Sequence, residues 1–364
     1  VRLTHHQIPI NPHRASSQEG QAMNHRIFRT RSRLKPLAAC LAAVAALSWS
    51  TAGMAQATAG SGGAASKYPE RPIRIVNTFP AGGSGDQVIR TVFNKVSQSV
   101  GQPYVVDTRA GAAGAIGTTH VAKSAPDGYT FVLGTASTFG TNSATQPNLA
   151  YDPIADFTPV IQMASTPYLL LAHPSVPAAN LSEFLAYANA QKGKLNFGSF
   201  GLGSSNHLAY ELLISVTRIP IVHVPYKGGA PLITALLAGE VQSSMDVYAT
   251  ANPHIQAGKF RVLGVAAPKR FSLMPDVPTL AEQGHAVSGG TFFALLGPAR
   301  LPQAIVDFLN TEVNKALRDP EVQTRLRSLG VEPVGGPPEV LAKAVADEVA
   351  IWTRLVKTQG LKFD

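Results

Sequence analysis

"GSGDQVIRTVFNKV" at residues 83–96 and "GSSNHLAYELLISV" at residues 203–216 are one pattern written twice, 120 positions apart. Each opens on Gly-Ser. Each then places apolar residues in the same register: Val88/Ile89, Val92/Phe93 and Val96 in the first, Leu208/Ala209, Leu212/Leu213 and Val216 in the second. That spacing predicts an amphipathic helix. Each follows an apolar strand-like run and leads to a second one, "YVVD" (104–107) or "IVHV" (221–224), and then to a further glycine turn, "RAGAAG" (109–114) or "YKGGA" (226–230). Gly-Ser before a helix is also common punctuation, but the shared apolar register favours two βαβ units with the same loop chemistry.

The rest of the chain alternates short apolar runs with amphipathic ones, as an α/β protein does. Strands are expected near 72–78, 104–107, 130–134, 159–163, 167–172, 195–199, 221–225, 243–247, 261–266 and 292–297. Helices are expected near 86–99, 114–124, 181–191, 205–216, 229–239, 302–318, 320–329 and 337–358. Pro302 and Pro320 stand where first helical turns should begin. A glycine loop feeding a helix has a plain physical use. The first helical turn carries backbone N–H groups without intrahelical acceptors, and the helix dipole adds partial positive charge. Two such loops facing across a cleft would grip an acid without a basic side chain.

The net charge of +9 suggests a nucleic-acid partner until it is located. Of 31 basic and 22 acidic residues, seven basic ones (Arg2, Arg14, Arg26, Arg29, Arg31, Arg33, Lys35) and one acid (Glu19) fall within 1–57, which leaves 24 against 21. The case for nucleic acid goes with that segment. Met23 opens a basic run, "PLAACLAAVAALSW" is an apolar core, and "GMAQA" offers small residues for cleavage after Ala55 or Ala57. This is the layout of a secretory signal over 23–57, with 1–22 as sequence translated upstream of it and 58–67 as a flexible Ser/Gly/Ala linker. Cys40, the single cysteine, sits in "LAAC", but the apolar run follows it instead of preceding it, so a lipobox is rejected. Cleavage would leave no thiol and no disulfide, and an exported chain of that kind relies on its core.

Three chemistries compete for the glycine loops. A Rossmann dehydrogenase would want strand, glycine loop, helix and an acid some twenty residues on, and Asp107 fits. The loop, however, reads Gly-Ser-Gly-Asp-Gln-Val, with Val88 in the third glycine position. A P-loop lacks its Gly-Lys-Ser/Thr. A serine hydrolase would need Gly-x-Ser-x-Gly, which neither Ser84 nor Ser204 completes, and His207 has no evident orienting acid. The histidines at 120, 173, 207, 223, 254 and 285 show no metal spacing and read as structural or surface residues. Asp86, in a first helical turn, either complements the dipole or meets a ligand. Lys227 either attracts an anion over the cleft or is a solvated surface residue. Tyr226 either donates its hydroxyl or packs beneath the turn.

"YPERPIRIVNTFPAGGSGDQVIR", "APDGYTFVLGT", "FGSFGLGSSNHLAYELL", "VPYKGGAPLITALLAGEVQ" and "RFSLMPDVPTLAEQG" resemble, in this order, segments of the periplasmic solute receptors of the tripartite tricarboxylate transporters, the Bug family. The likeness runs from about Tyr68 to the C-terminus. It implies a two-lobed periplasmic-binding-protein (Venus flytrap) fold, each lobe a βαβ-type sheet flanked by helices, with residues 68–165 plus 291–364 as lobe I and 166–290 as lobe II. It implies a ligand site made by Phe79, Ala81, Gly82, Gly83 and Asp86 on the first loop, Thr135 and Ser137 after the third strand, Gly203, Ser204 and Ser205, the turn Tyr226, Lys227 and Gly228, and Asp246 at a later strand end. The implied protein is a periplasmic monomer, without catalytic residues, metal or cofactor. It binds a small organic acid (di- or tricarboxylate, amino acid or aromatic acid) and delivers it to membrane subunits. A receptor for a membrane sensor kinase is the alternative, and a Rossmann-type enzyme a further one. The chain departs from the family's pattern at Gly111-Ala112-Ala113-Gly114, where a Gly-Ala-Gly-Gly run is usual. It departs again at Phe292-Phe293, where a tryptophan is common, and before Asp246, which lacks the usual phenylalanine. These departures bear on the ligand's identity.

N-terminal sequencing of protein recovered from the periplasm should begin near Gln56 or Thr58. A lipid-modified Cys40 would overturn the reading of the leader.

Overall fold

The computed structural model describes residues 68–363; the leader, the linker and the final residue lie outside the described residues. In chain order the elements are β1 (Ile73–Asn77), α1 (Ser84–Val100), β2 (Tyr104–Thr108), α2 (Ala115–Ala122), β3 (Thr130–Gly134), α3 (Asn142–Thr145), β4 (Phe157–Ala172), α4 (Leu181–Gln191), β5 (Leu195–Ser199), α5 (Ser205–Thr217) and β6 (Ile221–Pro225). They continue with α6 (Gly229–Ala238), β7 (Ser243–Val247), α7 (Tyr248–Gln256), β8 (Arg261–Ala266), β9 (Gly290–Pro298), α8 (Gln303–Arg318), α9 (Pro320–Ser328), β10 (Glu332–Pro333) and α10 (Pro338–Gln359).

The strands run in the order β2-β1-β3-β9-β4-β7-β5-β6, with β8 and β10 also paired to β4. Two parallel ladders form the ends. Ile73 faces Tyr104 and Arg74 faces Thr130 in the first; Leu195 faces Ile221 and Phe197 faces Ser243 in the second. The two 120-offset segments are therefore the crossover helices α1 and α5 of two like units, and the fold is a two-lobed α/β protein. Parallel ladders need both faces covered. On one side of the first ladder Ile75, Phe131 and Leu133 pack with Val92, Phe93 and Leu309; on the other Val76 and Val132 pack with Phe139 and Leu341. The second ladder is covered likewise, by Phe184, Tyr210 and Leu213 on one face and Leu232, Leu236 and Ala251 on the other.

The antiparallel strands β4 and β9 join the two ladders. The sequence suggests two strands, at 159–163 and 167–172; the structure has one strand of 16 residues. Its irregular pairing with β9 absorbs the first proline, at a register shift between Pro159 and Ile161. Pro167 falls where the partner changes. Phe157–Pro167 pair with β9, and Tyr168–Ala172 pair with β7 and β8. A residue without an N–H costs least where one ladder ends and another begins. Two helical stretches were not legible in sequence: α7, which contains Pro253, and the Ser/Thr-rich turn 137–145 that includes α3.

At the start of β9, Gly290 permits the close approach to β4. A Cβ there would lie 2.5 Å from the carbonyl oxygen of Thr166 and 3.2 Å from Cα of Pro167, both backbone atoms. Gly290→Ala should cost about 1–3 kcal/mol through overpacking. Thermal denaturation should show this as a drop of roughly 2–5 °C.

Candidate functional site

The loops that leave the carboxyl ends of β1, β3, β5, β6 and β7 converge on one cleft, the place where open α/β sheets hold ligands. Four of the helices that follow these strands begin there. Their N-caps are Gly83 for α1, Ser204 for α5, Gly228 for α6 and Val247 for α7, and none makes a side-chain cap. Their first-turn N–H groups depend on other partners.

Phe79, after β1, and Phe200, after β5, meet edge to face across the cleft, ring centroids 6.4 Å apart, and both line two adjoining cavities. The inner one, about 50 Å³, is walled by Asn77, Gly83–Asp86, Leu133, Thr135 and Ser137 from the first unit. Tyr168, Gly229, Asp246 and Thr250 wall it from the second, and Thr291 and Phe293 of β9 complete it. No Lys, Arg or His lines it. The outer one, about 470 Å³, is bounded by Gly111–Gly114, Thr145–Asn148, Gly201–Leu202, Pro225–Lys227 and Phe363.

Three buried polar atoms of residues on the inner wall have no hydrogen-bond partner; one, Oδ1 of Asp86, lies 3.1 Å from Arg90 in an ion pair, and the other two have no partner of either kind. Asn77 is 1% exposed, and its Oδ1 accepts from the N–H of Phe79 (3.4 Å), which orients the amide and leaves Nδ2 unpaired. Asp246 is fully buried. Its Oδ1 accepts from the N–H of Val247 (2.7 Å) and the hydroxyl of Thr250 (2.8 Å), while Oδ2 has no partner. Burial away from any counter-charge pushes the Asp246 carboxyl up to about 7, against the pull of those two hydrogen bonds.

A hydroxyl chain ties the two units beside the cavity. The N–H of Ser205, in the first turn of α5, donates to Oγ of Ser137 (3.1 Å). The Ser205 hydroxyl lies 3.0 Å from Ser137 Oγ and 2.6 Å from the hydroxyl of Tyr168. All three side chains are buried. Burial also holds the Tyr168 phenol above its usual range, and hydrogen bonding from Ser205 only partly opposes this.

The sequence-derived residues divide by position. Phe79, Gly83, Asp86, Thr135, Ser137 and Asp246 line the inner cavity; Tyr226 and Lys227 line only the outer one. Ala81 and Gly82 lie exposed on the loop. Gly82 adopts φ 81°, and its N–H donates to Oδ2 of Asp86 (3.2 Å); Arg90 holds the same carboxylate at 3.1 Å. Asp86 thus closes its own helix turn, as an acid complementing the dipole does. Ser204 is buried with its hydroxyl 2.6 Å from the carbonyl of Gly201 and 2.8 Å from Oδ1 of Asn206, inside its own unit. Gly203 and Gly228 serve close approach between the units: a Cβ on Gly203 would run into Thr145, and one on Gly228 would come within 2.7 Å of Pro80. Gly83, by contrast, meets nothing nearer than the Pro80 carbonyl at 3.4 Å, so its value is the open wall it leaves.

Asn77, Tyr168, Phe200 and Thr250 were missed. They sit inside apolar or mixed runs whose pattern reports only strand or helix. Their common orientation is a product of the sheet. His207, for which the sequence shows no evident orienting acid, has one in the structure: Oε1 of Glu211, one helical turn on, lies 3.4 Å from its Nε2. Its Nδ1 accepts from the N–H of Gly203 (3.0 Å) and its ring stacks on His223 at 3.6 Å. His223, driven down to about 3 by burial and by His207, lies 2.7 Å from Ser199 Oγ. The Gly111-Ala112-Ala113-Gly114 departure also has a local consequence: Ala112 and Ala113 adopt φ 47° and 49°, a region that favours glycine.

Among the described residues no His, Cys, Asp or Glu cluster has the makings of a metal site, and no helix is long and apolar enough to cross a membrane. Ser205→Ala should leave the buried Tyr168 hydroxyl unpaired and cost about 1–3 kcal/mol in urea denaturation. Tyr168→Phe, which leaves Ser205 bonded to Ser137, should cost less, about 0.5–1.5 kcal/mol for the lost bond.

The chain is similar to known proteins. A family profile described as "Tripartite tricarboxylate transporter family receptor" matches residues 88–361. Protein BugT of Bordetella pertussis is 34% identical over 300 residues, 82% of this chain and 92% of that one. Among solved structures, an R. palustris protein with adipate is 36% identical, with a TM-score of 0.79 over 81% of this chain and 99% of that one. MatC of Rhodopseudomonas palustris with bound malate is 35% identical, with a TM-score of 0.76 over 79% of this chain and all of that one.

Proposed function

The chain belongs to the tripartite tricarboxylate transporter receptor family, and from that premise we propose that the inner cavity between its two lobes seats the carboxylate group of a small organic acid. The observation that carries this reading is the unpaired Nδ2 of Asn77, buried on a wall that also holds the first turn of α1. A buried donor without an acceptor costs about 1–3 kcal/mol, which a ligand oxygen would recover. The wall presents backbone N–H, hydroxyl and amide groups, and a helix start favours a carboxylate there. The family relatives solved with adipate and malate support the ligand class. The contacts proposed for the ligand are Asn77, Gly83, Thr135, Ser137 and Asp246, with Phe79 and Phe200 closing over it. Lys227 and Tyr226 act at the outer cavity, before the ligand is enclosed.

The lobes are proposed as 68–165 plus 291–364 and 166–290, with β4 and β9 as the segments that flex between them. Binding without turnover, in the periplasm, and delivery to membrane subunits of the transporter complete the reading.

Small mono- or dicarboxylates should raise the Tm in differential scanning calorimetry, and NAD should not. At a hundred times its Kd a ligand adds about 2.7 kcal/mol, a rise of about 4 °C for a protein of this size. Gly83→Val, which adds bulk to a residue lining the inner cavity, should abolish that rise in a folded protein. Lys227→Ala, an exposed charge, should weaken binding by less than about threefold, and mainly at low salt. Loss of binding in Lys227→Ala with a silent Gly83→Val would transfer the site to the outer cavity.

A further inference from the structure

We infer that Asp246 takes part in binding as a neutral carboxylic acid, donating a hydrogen bond from Oδ2 to the ligand's carboxylate, so that the ligand enters the inner cavity together with a proton. This deepens the reading above and rests on it.

Asn77 Nδ2 and Asp246 Oδ2 are the two atoms of the inner wall with no partner of any kind. Asn77 Nδ2 is a donor whose orientation is set by the bond its own Oδ1 accepts from Phe79 N–H. Whatever satisfies it must present an acceptor. An ammonium group has none, so a ligand turning an amine toward this wall would leave Asn77 unpaired. A carboxylate presents acceptors only. It satisfies Asn77 and Asp246 together when Oδ2 of Asp246 carries a hydrogen, and otherwise sets two anions against each other in a cavity without a cationic side chain. Oδ1 of Asp246 already accepts from Val247 N–H and Thr250 Oγ–H, so the proton belongs on Oδ2, the oxygen without a partner. An acid donating to a carboxylate makes a charge-assisted bond, stronger than a neutral one.

The surroundings agree. The titratable groups sharing the cavity are Asp86 on α1, already held by Arg90, and Tyr168 on β4, whose phenol burial keeps protonated. The other loops and β9 present Phe200, Gly229, Thr291 and Phe293, which do not titrate. No described ion pair includes Asp246, and burial alone lifts its carboxyl to about 7. The sign follows. Binding that needs the protonated acid is fully present below pH 7 and falls about tenfold per pH unit above it. In the free protein, whose Asp246 is raised above the unfolded value, stability falls as pH rises from the ordinary aspartate range to about 7, then levels.

The test uses malate, adipate and benzoate as probes, titrated calorimetrically into the full chain at pH 6, 7 and 8. For any probe that binds, repeating the pH 8 titration in two buffers of different ionisation enthalpy should show uptake of close to one proton per ligand. Asp246→Asn carries a donor at every pH; its affinity should be flat from pH 6 to 8 and about tenfold above wild type at pH 8. Proton release on binding, or affinity that rises with pH and is lost in Asp246→Asn, would overturn the inference and assign a cationic ligand group to Asp246. If the variant does not fold, the two-buffer measurement on the wild type decides. If none of the three probes binds, the carboxylate reading of the site fails on its own. The inference, which rests on that reading, then falls with it; carbon-13 NMR of the free protein separates this from a failure of the inference itself, which an Asp246 carboxyl titrating in the ordinary aspartate range would show.

Discussion

Strand β4 has to complete two ladders with one backbone. Its first eleven residues bond to β9 and its last five to β7 and β8, and buried backbone groups that failed to pair would each carry a desolvation cost. The change of partner therefore falls at Pro167, which has no N–H to satisfy, and the next residue, Tyr168, is the first of the second ladder. With β4 and β9 fixed side by side, the two parallel units stand at opposite ends of one strand order, and the loops after their strands open toward each other. The close backbone contact at Gly290 maintains that pairing.

The cleft so formed is closed by chemistry of two kinds. Ser137, Ser205 and Tyr168 satisfy one another across the junction, so this part of the wall is complete without a ligand. Asn77 Nδ2 and Asp246 Oδ2 are not satisfied, and their cost is carried by the rest of the fold. Buried polar groups are nearly always paired, so each that is not calls for a reason, and a ligand is the reason proposed for these two. The aromatic pair Phe79–Phe200 stands between this wall and the wider outer cavity. Charge follows the same division: Lys227 stays exposed at the outer cavity, and the inner wall has no cationic side chain.

The glycines of the cleft illustrate how one residue type serves unlike ends. Gly82 supplies a positive φ that brings its N–H to Asp86. Gly203 and Gly228 let two units touch without a side chain between them. Gly83 does neither, and leaves open wall beside the start of α1. Ala112 and Ala113 hold left-handed backbone without the freedom of glycine, a strain that the packing of the turn over the outer cavity must outweigh.

Local pattern alone determined the βαβ units. Apolar period and Gly-Ser starts are properties of neighbouring residues, and the crossover helices α1 and α5 lie where that periodicity put them. The loops that line the cleft were legible for the same reason, since a helix start is a local event; for Asp86 local pattern left the helix dipole and a ligand as alternatives, and the structure gives its carboxylate Gly82 and Arg90 as partners. What local pattern could not decide was which groups face the cavity. Asn77 ends a strand, Tyr168 lies in an apolar run, Phe200 sits in an unremarkable turn and Thr250 in the first turn of α7; only the sheet order brings them to one wall. The hydroxyl of Ser204, equal in sequence to that of Ser205, is turned inward by the fold while its neighbour crosses to Ser137. Burial of Asp246, and hence the ionisation of its carboxyl, likewise exists only once β7 is enclosed between β4 and β5, because desolvation is a property of surroundings that no single stretch of chain contains.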